Sequence, residues 1–170
     1  MPHRLPHRGF TLIEIMVVMV ILGVLTWLVT VNFAPDQRQQ LQQEAGRLAL
    51  LMEYASNNAR TSGQAIAWKK LDTGYGYLHK QPDGLSWKLI GQNETLRPRV
   101  LPADIQVSEQ KIAGNRMSNN EMIVFSATGN NAPFSITLSS AGMRVIVTGD
   151  PLGKVTTDEA TQPLLEPPRS

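Results

Sequence analysis

The chain has 170 residues and no cysteine, which removes disulfide scaffolds, thiolate metal sites and cysteine nucleophiles. Histidine is nearly as scarce. Of three in all, His3 and His7 fall in the first nine residues, leaving His79 alone for the remainder. A hydrolase triad or an imidazole metal site therefore has one candidate, and it lies in the alternating run Gly76-Tyr77-Leu78-His79-Lys80, where the spacing puts it on a solvated strand face. An excess of charge of one sign is also missing. The formal net charge is +2, and Arg4 and Arg8 account for it: from residue 10 onward Lys plus Arg and Asp plus Glu number 14 each. The body of the chain has no net basic charge to attract phosphate generally.

What is present is a long apolar run with almost nothing polar in it. In Phe10–Val31, FTLIEIMVVMVILGVLTWLVTV, 17 of 22 residues are apolar and the sole ionisable one is Glu14. As a helix it would reach about 33 Å, against roughly 30 Å for the hydrocarbon layer of a bilayer. The basic start, His3-Arg4 and His7-Arg8, and the acid Asp36 beyond the far end place residues 1–9 in the cytoplasm and the rest outside. A secretory signal peptide also starts basic, but its apolar region runs about 7–15 residues and ends in small residues. Here the end reads Val31-Asn32-Phe33-Ala34-Pro35. Glu14 is costly in hydrocarbon, about 2.5–3.5 kcal/mol at mid-helix. It either reaches the headgroups from the first turn, where the helix dipole favours an anion, or it awaits a cation from another chain. Spacing alone leaves both open.

The residues Gly9-Phe10-Thr11-Leu12-Ile13-Glu14 resemble the processing motif of type IV pilins and pseudopilins. The resemblance implies that a prepilin peptidase cuts between Gly9 and Phe10, that Phe10 becomes the N-methylated terminus, and that Glu14 is the assembly carboxylate. Cutting there exposes an ammonium, and a buried ammonium and a buried carboxylate compensate each other only when paired. Glu14 then acts as a registry device in a helical bundle.

Beyond Ala34-Pro35, where a break is expected, Leu41, Ala45, Leu48, Met52, Ala55 and Ala59 recur at spacings of 4, 3, 4, 3 and 4. That is one face of a helix, with Asp36 as its N-cap. The runs 64–72, 75–81, 85–90, 96–101, 104–109, 121–127, 133–139 and 143–149 read as strands separated by turn signals such as Asp72-Thr73-Gly74, Ala113-Gly114-Asn115 and Ala141-Gly142. Hairpins are expected between Met122–Ala127 and Phe134–Leu138, and between Phe134–Leu138 and Val145–Thr148. The fold class is α+β: a long N-terminal membrane-spanning helix continuing into a periplasmic domain with a mostly antiparallel β-sheet. The expected segments are a leader (1–9), a transmembrane helix (10–31), its amphipathic continuation (32–62), a β-rich domain (63–155) and a mobile tail (156–170).

Other chemistry finds little support. Gly149-Asp150-Pro151 supplies one acid toward a calcium loop. Gly74-Tyr75-Gly76 lacks the third glycine of a nucleotide loop and reads as a turn. Lys69-Lys70 and Arg97-Pro98-Arg99 read as solvated edges that discourage strand pairing, with a DNA-contacting surface as the rival reading. The sequence calls for no cofactor and no catalytic residue.

Phe125-Ser126-Ala127-Thr128-Gly129, Ser135-Ile136-Thr137-Leu138 and Gly149-Asp150-Pro151-Leu152-Gly153-Lys154-Val155 are similar to the closing hairpins of H-type minor pseudopilins of the type II secretion system. The resemblance implies an inner-membrane, single-pass subunit of a short periplasmic filament that supports export of folded proteins. Its implied partners are the I, J and K types of minor pseudopilin, the major pseudopilin, the inner-membrane assembly platform and the prepilin peptidase. A minor pilin of a type IV pilus or DNA-uptake filament would share the same N-terminus.

Overall fold

A computed structural model describes residues 12–32, 37–91 and 95–159, with side chains of the first helix described through Val24. The chain divides into two units, residues 1–36 and 37–170. In the first, α1 (Leu12–Asn32) is a single 21-residue helix. Gly9, Phe10, the expected break at Pro35 and the Asp36 cap lie outside the described residues.

The second unit starts with α2 (Gln37–Ser62). All six residues of the spaced apolar face, Leu41 through Ala59, are buried. Among the described residues ten strands follow: β1 (Ile66–Leu71), β2 (Gly74–Lys80), β3 (Trp87–Leu89), β4 (Arg99–Val100), β5 (Gln106–Ile112), β6 (Asn115–Arg116), β7 (Met122–Phe125), β8 (Phe134–Ser140), β9 (Met143–Gly149) and β10 (Val155–Glu159). They form two antiparallel sheets. The first has the order β3-β2-β1-β7 with β4 also paired to β2; the second has the order β10-β9-β8-β5-β6. The inner faces of both sheets and α2 share one core, built from residues such as Trp68, Tyr75, Tyr77, Phe125, Ile136 and Val147. The turns Ala113-Gly114 and Ala141-Gly142 hold both residues at positive φ, the geometry that matches strand twist in a two-residue hairpin.

Several expectations are corrected. One mostly antiparallel sheet becomes two. Met122–Phe125 does not form a hairpin with Phe134–Leu138: β7 pairs with β1, Ile66 opposite Phe125, and β8 pairs with β5 and β9. Residues 126–133 are too long for a hairpin turn and cross from one sheet to the other, and the Phe125 and Phe134 rings meet edge to face at 6.0 Å across the gap. The expected hairpin of Phe134–Leu138 with Val145–Thr148 forms within β8 and β9. The tail expected from residue 156 instead begins as β10, because Val155 is buried and the strand pairs with β9. Gly74-Tyr75-Gly76 is no turn; it opens β2 after the turn at Asp72-Thr73. A Cβ on Gly74 would lie 1.9 Å from the Arg99 carbonyl oxygen, so the bare backbone is what admits β4. Lys69-Lys70 is no edge either, since β1 lies between β2 and β7. The two side chains alternate across the pleat, and the Lys70 ammonium donates to the Val107 carbonyl of the second sheet at 3.0 Å.

Candidate functional site: the assembly helix and the closing loops

Every large apolar side chain of α1 from Leu12 to Val24 is exposed, between 45% for Val18 and 80% for Leu12. A soluble helix hides such residues on one stripe; this one shows them all round. Glu14 sits in the first turn of the helix and is exposed. Among the described residues it has no ion-pair or hydrogen-bond partner. Burying one such apolar side chain is worth about 1.5–3 kcal/mol, so the helix holds a large driving force for burial in apolar surroundings, with Glu14 as the one charge on its described stretch. Among the described residues no helix is long and apolar enough to cross a membrane. The stretch of α1 whose side chains are described reaches about 20 Å at 1.5 Å per residue.

In the second unit the sequence-marked loops converge on α2. Asn131, in the crossover, accepts the Ser126 N–H on Oδ1 at 2.8 Å and donates from Nδ2 to Ser56 Oγ at 3.1 Å, and its own N–H reaches the Pro151 carbonyl. Ser56 and Asn131 are buried. Asp150 Oδ1 accepts the N–H groups of Leu152 and Lys154, both at 2.9 Å. Its carboxylate therefore shapes its own turn, and among the described residues no group of three His, Asp or Glu is placed to hold a metal. Glu53 Oε1 accepts the Val155 N–H at 2.9 Å. At the other end of β10, Glu159 receives Arg38 at 2.6 Å and Gln42. Two carboxylates thus fasten the last strand to the helix.

Residues 4–30 match the model of the prokaryotic N-terminal methylation motif, and residues 44–153 match that of type II transport protein GspH. The chain belongs to the GspH family. The GspH match runs from Glu44, in the first third of α2, to the Gly153 turn, so it contains the whole Ser56–Asn131 junction. Type II secretion system protein H of Escherichia coli (strain K12) is 23% identical over 151 residues, 86% of each chain. The minor pseudopilin EpsH of the Vibrio cholerae type II secretion system shares the fold at 15% identity and a TM-score of 0.59, covering 72% of this chain and 98% of its own. The solution structure of E. coli GspH aligns at 17% identity and a TM-score of 0.53, covering 81% and 98%.

Within this GspH-family fold, the sequence marked the closing loops but not what the loops close on. Ser56, Asn131 and Glu53 were missed; the available signal was Ser56, a polar residue one turn after Met52 on the apolar face of α2. His79 is half-buried and lines a cavity of about 460 Å³ with Asn58, Ser62 and Lys88; among the described residues no Asp or Glu lines that cavity.

Proposed function

We propose that this chain acts as a minor pseudopilin, a structural component of the type II secretion pseudopilus in its tip or initiation complex, supporting export of folded proteins across the outer membrane. The observation that carries this reading is the pairing of a GspH-family globular unit with an N-terminal helix whose described apolar side chains are all uncovered. Such a helix is stable only in lipid or among other helices. The precursor is held in the inner membrane by residues 10–31 with its C-terminal unit in the periplasm. Cleavage between Gly9 and Phe10 and methylation of Phe10 precede assembly.

Glu14 then sets the height of the subunit. Phe10 stands four residues before it in the sequence. A neighbour's terminal ammonium can meet the carboxylate only when the two helices are offset correctly, and otherwise both charges stay buried alone. The contribution is assembly and binding, with the prepilin peptidase, the assembly platform, the I, J and K minor pseudopilins and the major pseudopilin as partners. The test is a deletion of the gene scored in parallel for exoprotein release, twitching motility and DNA uptake. Loss of release alone, restored by the full-length gene, is expected; loss of twitching or DNA uptake with release intact would replace this reading by a type IV pilus subunit.

A further inference from the structure

An antiparallel sheet with one face on the core ordinarily turns polar side chains outward. The first sheet does so only in part. Opposite the face that carries Trp68, Tyr75 and Tyr77, the pairings Leu89 to Leu78, Leu78 to Ala67 and Ala67 to Val124 lay four apolar residues in one row across β3, β2, β1 and β7. Three strand spacings give that row a length of about 14 Å. Leu89 and Val124 at its ends are each 42% exposed, Leu78 is half-buried and Ala67 is buried between its neighbours. Its flanks are apolar as well: Trp87 stands opposite Lys80 on one side, and Met122 opposite Lys69 on the other.

The charge on this sheet has one sign. None of β1, β2, β3, β4 and β7 contains an Asp or Glu, whereas the second sheet carries Glu109, Asp158 and Glu159. On the outer face Lys80 and Lys69 bracket the apolar row from either side. Asp83, in the turn after β2, has its carboxylate taken up by the Leu85 and Ser86 N–H groups and the Ser86 hydroxyl, which together with Lys80 hold it below the usual carboxylate range.

We infer that this outer face is a docking surface for a protein other than a second copy of this chain, one that presents an apolar strip edged by carboxylates. The accessible ends of the row, Leu89 and Val124, supply apolar area and the two lysines supply register. A second copy is disfavoured because a face without carboxylates cannot pair its own lysines, and because Glu109 and Glu159 of the second sheet are already engaged by Lys111, Arg116 and Arg38. Nucleic acid is disfavoured because the two lysines are separated by aliphatic side chains rather than clustered along a phosphate track. The surface belongs to the globular unit and is independent of how α1 assembles.

A photo-crosslinking residue placed at Val124 in the full-length chain in its membrane tests this. The expected adduct is a segment of a different protein containing apolar residues with Asp or Glu beside them. The double substitution Lys69→Glu with Lys80→Glu should lower its yield roughly tenfold, Lys69→Arg with Lys80→Arg should keep it, and the unfolding midpoint should stay put in both. An adduct only with a second copy, a yield indifferent to the charge reversal, or no adduct overturns the inference. So does binding of a labelled DNA duplex that the charge reversal abolishes. Because exoprotein release is scored separately, failure here leaves the pseudopilin assignment standing, and the reverse also holds.

Discussion

Gly153→Ala is the perturbation that the closing loops make most sensitive. Gly153 has φ +89°, and a Cβ there would sit 2.2 Å from Ser56 Oγ and 3.5 Å from Asn131 Nδ2. The left-handed conformation costs an L-residue about 1–2 kcal/mol. Displacing Ser56 Oγ also breaks its 3.1 Å bond to Asn131, leaving a buried donor without a partner at about 1–3 kcal/mol. The sum is about 2–5 kcal/mol, or on the order of 6–15 °C in Tm for a chain of this size. Urea and thermal unfolding of the detergent-solubilised chain measure it. In a Ser56→Ala background the hydroxyl is gone, so Gly153→Ala should cost only the conformational part, about 1–2 kcal/mol. Equal costs in the two backgrounds, or a cost below about 0.5 kcal/mol, would refute the reasoning that Ser56, Asn131 and Gly153 form one junction.

Gly149→Ala should also destabilise, because its Cβ would fall 2.1 Å from the ring of Phe134, which faces it across the β8–β9 pair and is 3% exposed. Overpacking of this kind costs about 1–3 kcal/mol, and Phe134→Leu should recover part of it in the double variant. Burial above all, with Glu44 adding to it, pushes the Tyr75 hydroxyl up to about 12. Its contribution to stability is intact below the ordinary tyrosine range and is lost as the pH rises through that range toward 12, since the unfolded chain ionises first. Alkaline unfolding followed by tyrosine absorbance should be visibly shallower in Tyr75→Phe; an unchanged alkaline limb would count against it. Glu14→Ala should still be cleaved and methylated, yet enter filaments several-fold less; incorporation at the normal level would remove the registry role.

Much of this fold is legible because its periodicities are local. The 4, 3, 4, 3, 4 spacing of α2 is reproduced as burial residue by residue, and β1, β2, β8 and β9 fall within two residues of the alternating runs that suggested them. The pairing of β7 with β1 was not legible, since fifty residues separate the strands and both Phe134 and Ile66 are acceptable apolar neighbours for Phe125. β10 was read as tail because Thr156-Thr157-Asp158-Glu159 is polar. What orders it is Glu53 and Arg38 on a helix a hundred residues earlier, together with the edge of β9. Lys69 and Lys70 look alike in sequence and face opposite sides of a central strand. In the N-terminal apolar run the single carboxylate was conspicuous from composition alone, while Ser56 and Asn131 acquire meaning only when the crossover folds back onto α2.

The central claim is that the chain is cut ahead of Phe10 so that the new amine can meet Glu14 in a neighbour. Intact-mass measurement of the protein extracted from membranes tests it most directly. The account predicts a chain lacking residues 1–9 and carrying one added methyl group on Phe10; a full-length chain from cells with an active prepilin peptidase, or a terminus beyond Ala34, would contradict it.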